Sequence, residues 1–364
     1  MTKPRLLSKA LSPATFAVVT LAPLPLIGLG LWQQGLWVLP GFGYMFLLSA
    51  IIDRLIPHVA GEPAPGQEFP GSDAVLVTVG LCLLALVPLA VFAVAGPSGL
   101  SPLARAVVFA SVALWLGQVG HPAAHELIHR SQIWLFRLGK ACYIAMLFGQ
   151  HASAHRLVHH RHVATAQDPN SAPEGMGFYA FAARAWLGSL RAGHRAETAL
   201  RRRRSLGAKP SLHPYWIYLI GTLLALLVAH RIAGAAGMAA WLGLASLAQI
   251  QILLSDYVQH YGLRRSLAED GKPLPVGPAH SWNGGPWFSS ALTLNAPRHS
   301  DHHSHPNRPY PSLRLPAPEA APRLPWPLPI ACTIALFPPL WRRAIRPHLR
   351  QWQPKPAAQA KPPR

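Results

Sequence analysis

The apolar positions of this chain gather into long runs, separated by short segments that are basic or rich in proline and glycine. A helix needs about 20 mainly apolar residues to cross the hydrocarbon core of a bilayer. Runs close to that length lie at Pro13–Trp32, Leu36–Ile52, Ala74–Ala95, Pro102–Gly120, Pro214–Ile232 and Ala235–Ser255, and they predict six transmembrane helices. Ile133–Gln150 is also apolar, but Arg137 and Lys140 interrupt it, so it reads as an interfacial or buried helix. Leu328–Leu340 is short and carries Pro329, Pro338 and Pro339, so it is expected to dip into the interface. Phe178–Leu190 sets Phe178, Phe181, Ala182 and Ala185 opposite Arg184 and Arg191, the pattern of a helix lying on the membrane.

Composition agrees with that pattern. The chain is 51% hydrophobic and only 13% charged, unlike an ordinary soluble domain. The expected fold is an all-α integral membrane protein forming a single domain over residues 1–350. Gly61–Gly71 is a loop, Leu315–Pro329 is proline-rich, and 351–364 has the composition of a disordered tail. With six crossings and both termini on one side, 31 of the 33 Lys and Arg residues share that side, and only Arg105 and Arg231 oppose them. The positive-inside rule then places both termini in the cytoplasm of a multi-pass protein, in bacteria the inner membrane. The net charge of +20 is explained by topology and anionic headgroups, so no nucleic-acid partner is expected. No cleaved secretory signal is expected either, because the first apolar run leads almost directly into the second. Cys82, Cys142 and Cys332 have no disulfide or metal-ligand spacing and read as small apolar fillers.

Histidines change the picture most. Nine of them fall into four short clusters beside apolar runs: HELIH (His125, His129), HRLVHH (His155, His159, His160), DYVQHYGL (His260) and RHSDHH (His299, His302, His303). Imidazole is costly near hydrocarbon unless it has a partner, and a transition metal is its commonest one. Residues i and i+4 on a helix face the same way, which fits His125/His129, His155/His159 and His299/His303. Given the topology, all four clusters are expected on the cytoplasmic side. His121, His151, His162, His280 and His305 lie near these patterns but outside them, and are read as ordinary satisfied histidines. HELIH also matches the HExxH zinc-protease signature with Glu126 as base, a reading that leaves seven histidines idle. A metal transporter would need polar residues within the spans, which are nearly free of charge.

Over Trp115–Leu315 the chain resembles the bacterial alkane 1-monooxygenases, within the superfamily of membrane fatty-acid desaturases and hydroxylases. HELIHR, HRLVHHRHVATAQDP and RHSDHHSHPNRPYPSLR are similar to that family's three boxes, in the same order. DYVQHYGLRR is similar to the segment that separates it from plain desaturases. The chain departs from the family pattern at Ala154 and Gln259, where glutamates are usual, at Val158, where glycine is usual, and in the NAPRHSDHH lead to the third box. These changes spare every candidate ligand and fall on the site's surroundings and on substrate choice.

The resemblance implies a non-haem di-iron monooxygenase hydroxylating the terminal carbon of alkanes or similar chains. It also implies electrons from NAD(P)H through a reductase and a rubredoxin-type donor. The residues suit that chemistry: nine imidazoles shared between two iron ions give four or five ligands each. Ligating histidines need acceptors for their second N–H, and Glu126, Asp168, Asp256 and Asp301 are the nearby carboxylates. A fatty-acyl or terpenoid hydroxylase or desaturase is the variant reading. Substrate access is expected from within the bundle, between the second, fourth and sixth spans, with Gly243 or Ala245 as positions that could limit chain length.

Overall fold

The computed structural model describes residues 5–6, 9–204 and 212–352. It is almost wholly helical, and its one named sheet pairs Arg5–Leu6 with His58–Val59 in parallel. Among the described residues, four helices are long and apolar enough to cross a membrane: Pro13–Gln33, Ser72–Ala95, Pro102–Ile128 and Pro214–His260. Gly35–Leu48 is a shorter apolar helix. The last of the four, at 47 residues, would be roughly 70 Å long if straight, far more than a bilayer needs. It is broken at Ala233 and Gly234, whose backbones are non-helical (Gly234 φ 58°), between the two runs expected as separate spans. The tail expected over 351–364 lies almost entirely outside the described residues, as does the segment after Arg204.

Local sequence starts these helices where they begin. Ser12 and Ser101 accept the N–H groups of Thr15 and Ala104, and Pro13 and Pro102 fill the first helical positions, where a missing N–H costs nothing. Arg105 donates to the carbonyls of Val94, Gly96 and Leu100, capping the C-terminal end of Ser72–Ala95. Tryptophan N–H groups tie the helices together: Trp115 donates to the Thr20 carbonyl at 3.0 Å and Trp241 to the Ala145 carbonyl at 2.8 Å. Before the break, Leu219, Leu223 and Leu227 lie about half exposed at helical spacing, as an apolar face meets lipid.

The interrupted stretch after HELIH forms the helix Ile133–Ala145, packed so closely that a Cβ at Gly139 would sit 2.7 Å from Leu127 Cβ. Phe178–Arg204 buries Phe178, Phe181 and Ala185. Leu328–Ala335 buries Leu328, Ala331 and Ala335 against the other helices. Two buried charges anchor the cap that carries the third histidine box. Arg298 donates to the carbonyls of Leu313 and Ala60, and Asp53 accepts the Phe288 and Ser289 N–H groups at the start of Trp287–Leu292.

Candidate metal centre

HELIH ends the long apolar helix Pro102–Ile128, so His125 and His129 are held at its end on a single face. His260 closes the long helix Pro214–His260, and Gly262 makes the turn that follows with φ 74°, a conformation that favours glycine. His299, His302 and His303 lie on the short helix His299–Ser304. The second box departs from expectation. His155–His159 is a π turn in which the His160 N–H reaches back to the His155 carbonyl. The wider turn aligns i with i+5, so His160, not His159, lies over His155. Their Nε2 atoms are 2.9 Å apart, and His159 faces away into a different group.

All nine histidines converge, in two groups. His125, His129, His155, His160 and His302 form one, His159, His260, His299 and His303 the other, and within each the potential ligand atoms lie within 4.8 Å of one another. The neighbours His159/His160 and His302/His303 each contribute one ring to each group, which sets the groups side by side. His160 and His303 have ring centroids 4.6 Å apart.

The nitrogen geometry fits metal ions. His125, His155, His160 and His302 form a chain of Nε2-to-Nε2 contacts at 2.7, 2.9 and 3.1 Å. In the other group, His299 Nε2 lies 3.0 Å from that of His260 and 3.1 Å from that of His303. A neutral imidazole nitrogen either donates or accepts, so protons cannot satisfy every contact in the longer chain. Lone pairs directed at a shared cation can: metal–nitrogen bonds of about 2.1 Å at right angles set neighbouring nitrogens about 3 Å apart. His129 Nε2 and His159 Nε2 are buried with no protein partner, as ligand atoms would be. Burial pushes the pKa values of His155, His160, His299, His302 and His303 well below the ordinary value, and their mutual repulsion adds to it, so they stay neutral and free to coordinate.

Of the four carboxylates expected to take ring N–H groups, Asp168 touches a ring of the cluster. His159 Nδ1–H donates to its Oδ2 at 2.9 Å, and Ser171 and the Asn170 N–H donate to the same carboxylate. Burial opposes its charge, but the His159 ring and these donors outweigh burial and hold the Asp168 carboxyl below its ordinary range. The other three are engaged elsewhere. Asp256 accepts from the Asn170 amide at 2.6 Å, Glu126 from the Tyr310 N–H at 3.1 Å, and Asp301 from Arg308, the Arg314 N–H and His305. The second acceptor is a backbone carbonyl: His280 O, 3.4 Å from His260 Nδ1.

A cavity of about 290 Å³ opens beside these rings. His125, His155, His299 and His302 reach its wall, and Met45, Leu114, Leu254 and Leu328 make much of the apolar remainder. The second, fourth and sixth expected spans therefore contribute, joined by Leu328–Ala335. Gly243 and Ala245 are not part of this wall; a Cβ at Gly243 would meet the Phe109 ring at 2.9 Å. His121 and His151, read as ordinary histidines, belong to neither metal group but do line the cavity. Tyr143 hydrogen-bonds His121 at 3.0 Å, and the His151 ring stacks on His155 at 5.1 Å. The i−4 spacing that leads from His125 to His121 and from His155 to His151 was their visible signal.

Residues 100–333 match the fatty acid desaturase family. The alkane 1-monooxygenase of Ectopseudomonas oleovorans is 32% identical over 352 residues, covering 90% of this chain and 83% of that protein. The chain belongs to the alkane 1-monooxygenase family. Alkane 1-monooxygenase 1 of Pseudomonas aeruginosa is 34% identical over 241 residues, 65% of this chain and 62% of that protein, just under two thirds of its length. The xylene/toluene monooxygenase hydroxylase component of Pseudomonas putida is 32% identical over 263 residues, 69% of this chain and 66% of that protein. Enzymes so named are oxidoreductases, and with the apolar helices the comparisons support a membrane hydroxylase. At Gln259, where alkane monooxygenases usually carry glutamate, the side chain accepts from Ser255 and donates to the Ala296 carbonyl, tying the helix end to the loop before the third box.

Proposed function

We propose that the two histidine groups hold two non-haem iron ions, and that the chain hydroxylates the terminal carbon of an alkane or a similar lipid-soluble molecule. The observation that carries this reading is the convergence of two sets of imidazole nitrogens beside a largely apolar cavity that rings of both sets line. When bound, iron would supply, with O2 and electrons, the oxidising strength needed to break an unactivated C–H bond.

The remaining work falls to the chain itself. Met45, Leu114, Leu254 and Leu328 exclude water and guide an apolar chain toward the rings, with each methylene they bury contributing about 0.8 kcal/mol. Asp168 fixes the tautomer of His159, leaving Nε2 free for metal. Glu126 and Asp256 sit in the cavity wall and hold its backbone and loops in place. Family membership supports electrons from NAD(P)H through a reductase and a rubredoxin-type donor. In this reading residues 1–350 act as one domain that crosses the bacterial inner membrane six times, with both termini and the iron site in the cytoplasm.

A second reading, a fatty-acyl or terpenoid hydroxylase or desaturase, draws support from the breadth of the matched family and from polar side chains in the cavity wall. Membranes containing the protein and a rubredoxin system should convert nonane to nonanol, and purified protein should carry about two irons per chain. Active protein with stoichiometric zinc and no iron would overturn the metal assignment.

A further inference from the structure

His121 forms part of the cavity wall and starts the helix His121–Ile128, one turn deeper in the bundle than His125. Its Nδ1 lies 3.0 Å from the hydroxyl of Tyr143. Tyr143 is fully buried, and among the described residues its hydroxyl has no other partner. A buried phenol gives its proton to the acceptor it has, so Tyr143 donates and His121 Nδ1 accepts. Turning the ring over would set a carbon against the hydroxyl, so the ring's orientation is fixed too. Burial, with the Asp256 carboxylate adding to it, pushes the Tyr143 hydroxyl well above its ordinary pKa, and the phenol keeps its proton. The imidazole's own hydrogen is therefore on Nε2.

That N–H has no acceptor in the described protein. The Nε2 atom of His151 is sealed in without a partner, but that of His121 is not, and the surface on which the His121 ring opens is the cavity. Neighbouring donors in this wall are already committed. Ser255 donates to Gln259, Thr293 to the Ser289 carbonyl, and the Gln259 amide to the Ala296 carbonyl. An alkane offers no acceptor, so filling the cavity with hydrocarbon strips water from this N–H and gives nothing back.

We infer that the preferred substrate is an oxygen-bearing chain, whose ether, carbonyl or hydroxyl oxygen accepts from His121 Nε2 while its terminal methyl group lies at the histidine groups. This deepens the hydroxylase reading and rests on it. Tyr143 is a positioning residue, acting through His121. The helix sets the spacing: His121 precedes His125 by four residues, roughly 6 Å along the axis. An oxygen four bonds from the reacting carbon, at about 1.5 Å per bond in a zigzag, stands roughly 5 Å from it. The reaction is RCH3 + O2 + 2 electrons + 2 protons → RCH2OH + water, with the electrons from the NAD(P)H-linked donor; the chain oxygen is bound, not changed.

The test is a competition in membranes carrying the protein and a rubredoxin system, supplied with equal dibutyl ether and nonane. The two differ only in that an oxygen replaces the central methylene, four bonds from either end. Wild type should make both butoxybutanol and nonanol. His121→Phe, which keeps a ring in the wall and loses the N–H, should lower the butoxybutanol-to-nonanol ratio about fivefold, the worth of one net hydrogen bond. Tyr143→Phe frees the imidazole to hold its hydrogen on either nitrogen and should lower the ratio about twofold. Nonanol output also reports folding; if His121→Phe makes neither product, Tyr143→Phe decides. A ratio unchanged in the variants that still make nonanol overturns the inference and leaves the hydroxylase standing, as does wild type that makes nonanol and no butoxybutanol. Neither product from wild type overturns the hydroxylase reading, and this inference with it.

Discussion

The two histidine groups look alike in sequence and differ in how the protein holds them. The group of four is braced from outside: His159 donates to the Asp168 carboxylate and His260 points its Nδ1 at the His280 carbonyl. In the group of five, the Nδ1 atoms of His155, His160 and His302 are buried without a protein acceptor, as is that of His303 in the group of four, and no carboxylate touches a ring of the five among the described residues. Its geometry rests instead on helix ends and on ring-to-ring contact, as between His129 and His160, with centroids 4.6 Å apart. A cation among five neutral rings gains only ligand lone pairs, whereas one in the group of four also meets the field of a buried carboxylate. The two groups are therefore inequivalent as candidate metal sites, and each can be disturbed largely by itself.

Removing a ring at the centre of either group gives the largest expected effect. His155 Nε2 faces both His125 and His160, and His303 Nε2 faces His299. His155→Ala and His303→Ala should each reduce hydroxylation by more than about 100-fold, beyond what loss of an outer partner costs. Metal analysis should find each variant retaining about one iron, because the other group is intact. If both variants retain two irons, or both lose all metal, the division into two separately held sites is wrong.

Asp168→Asn sharpens the comparison, because it removes the charge and leaves a side chain of similar shape. Loss of such a partner typically costs 10–100-fold in metal affinity or activity. Iron should become easier to extract from one site only, seen as a biphasic release to a chelator. Asp301→Asn is the matched control: its carboxylate is held by Arg308 and the Arg314 N–H and touches no ring of either group. It should lower protein yield without changing the chelation profile. Identical profiles for the two variants would show that the Asp168 contact does not distinguish the sites.

Sequence patterning shows clearly where these residues would be, and less clearly whom they would meet. Apolar runs place His125 and His260 at helix ends because burial periodicity is written locally, and the break at Ala233–Gly234 falls between two runs that were already separate. The π turn at His155–His159 leaves no periodic mark, so i+4 spacing paired His155 with His159 where the folded chain pairs it with His160. Carboxylate partners are equally hidden. Glu126 sits inside the HELIH box yet accepts from Tyr310, which is remote in sequence. Cavity walls depend on helix rotation and on a late segment folding back, which is why Leu328 lines the cavity and Gly243 does not.

The smallest expected effect comes from His151, which tests whether the group of five has a sixth member. Its Nε2 is buried and unpartnered, and its ring stacks on His155 with centroids 5.1 Å apart, so proximity alone would admit it. Yet it lies outside the set whose ligand atoms come within 4.8 Å of one another, and it contributes to the cavity wall. A wall residue packed against a ligand affects substrate fit and the ligand's orientation more than metal retention. His151→Ala should therefore keep both irons and lose less than about tenfold in hydroxylation, mostly through KM, because the void loosens the cavity without removing a metal bond. Loss of one iron in His151→Ala would make it a ligand. The group of five would then be a group of six, held by still more imidazole and no carboxylate, and the contrast with its neighbour would be greater.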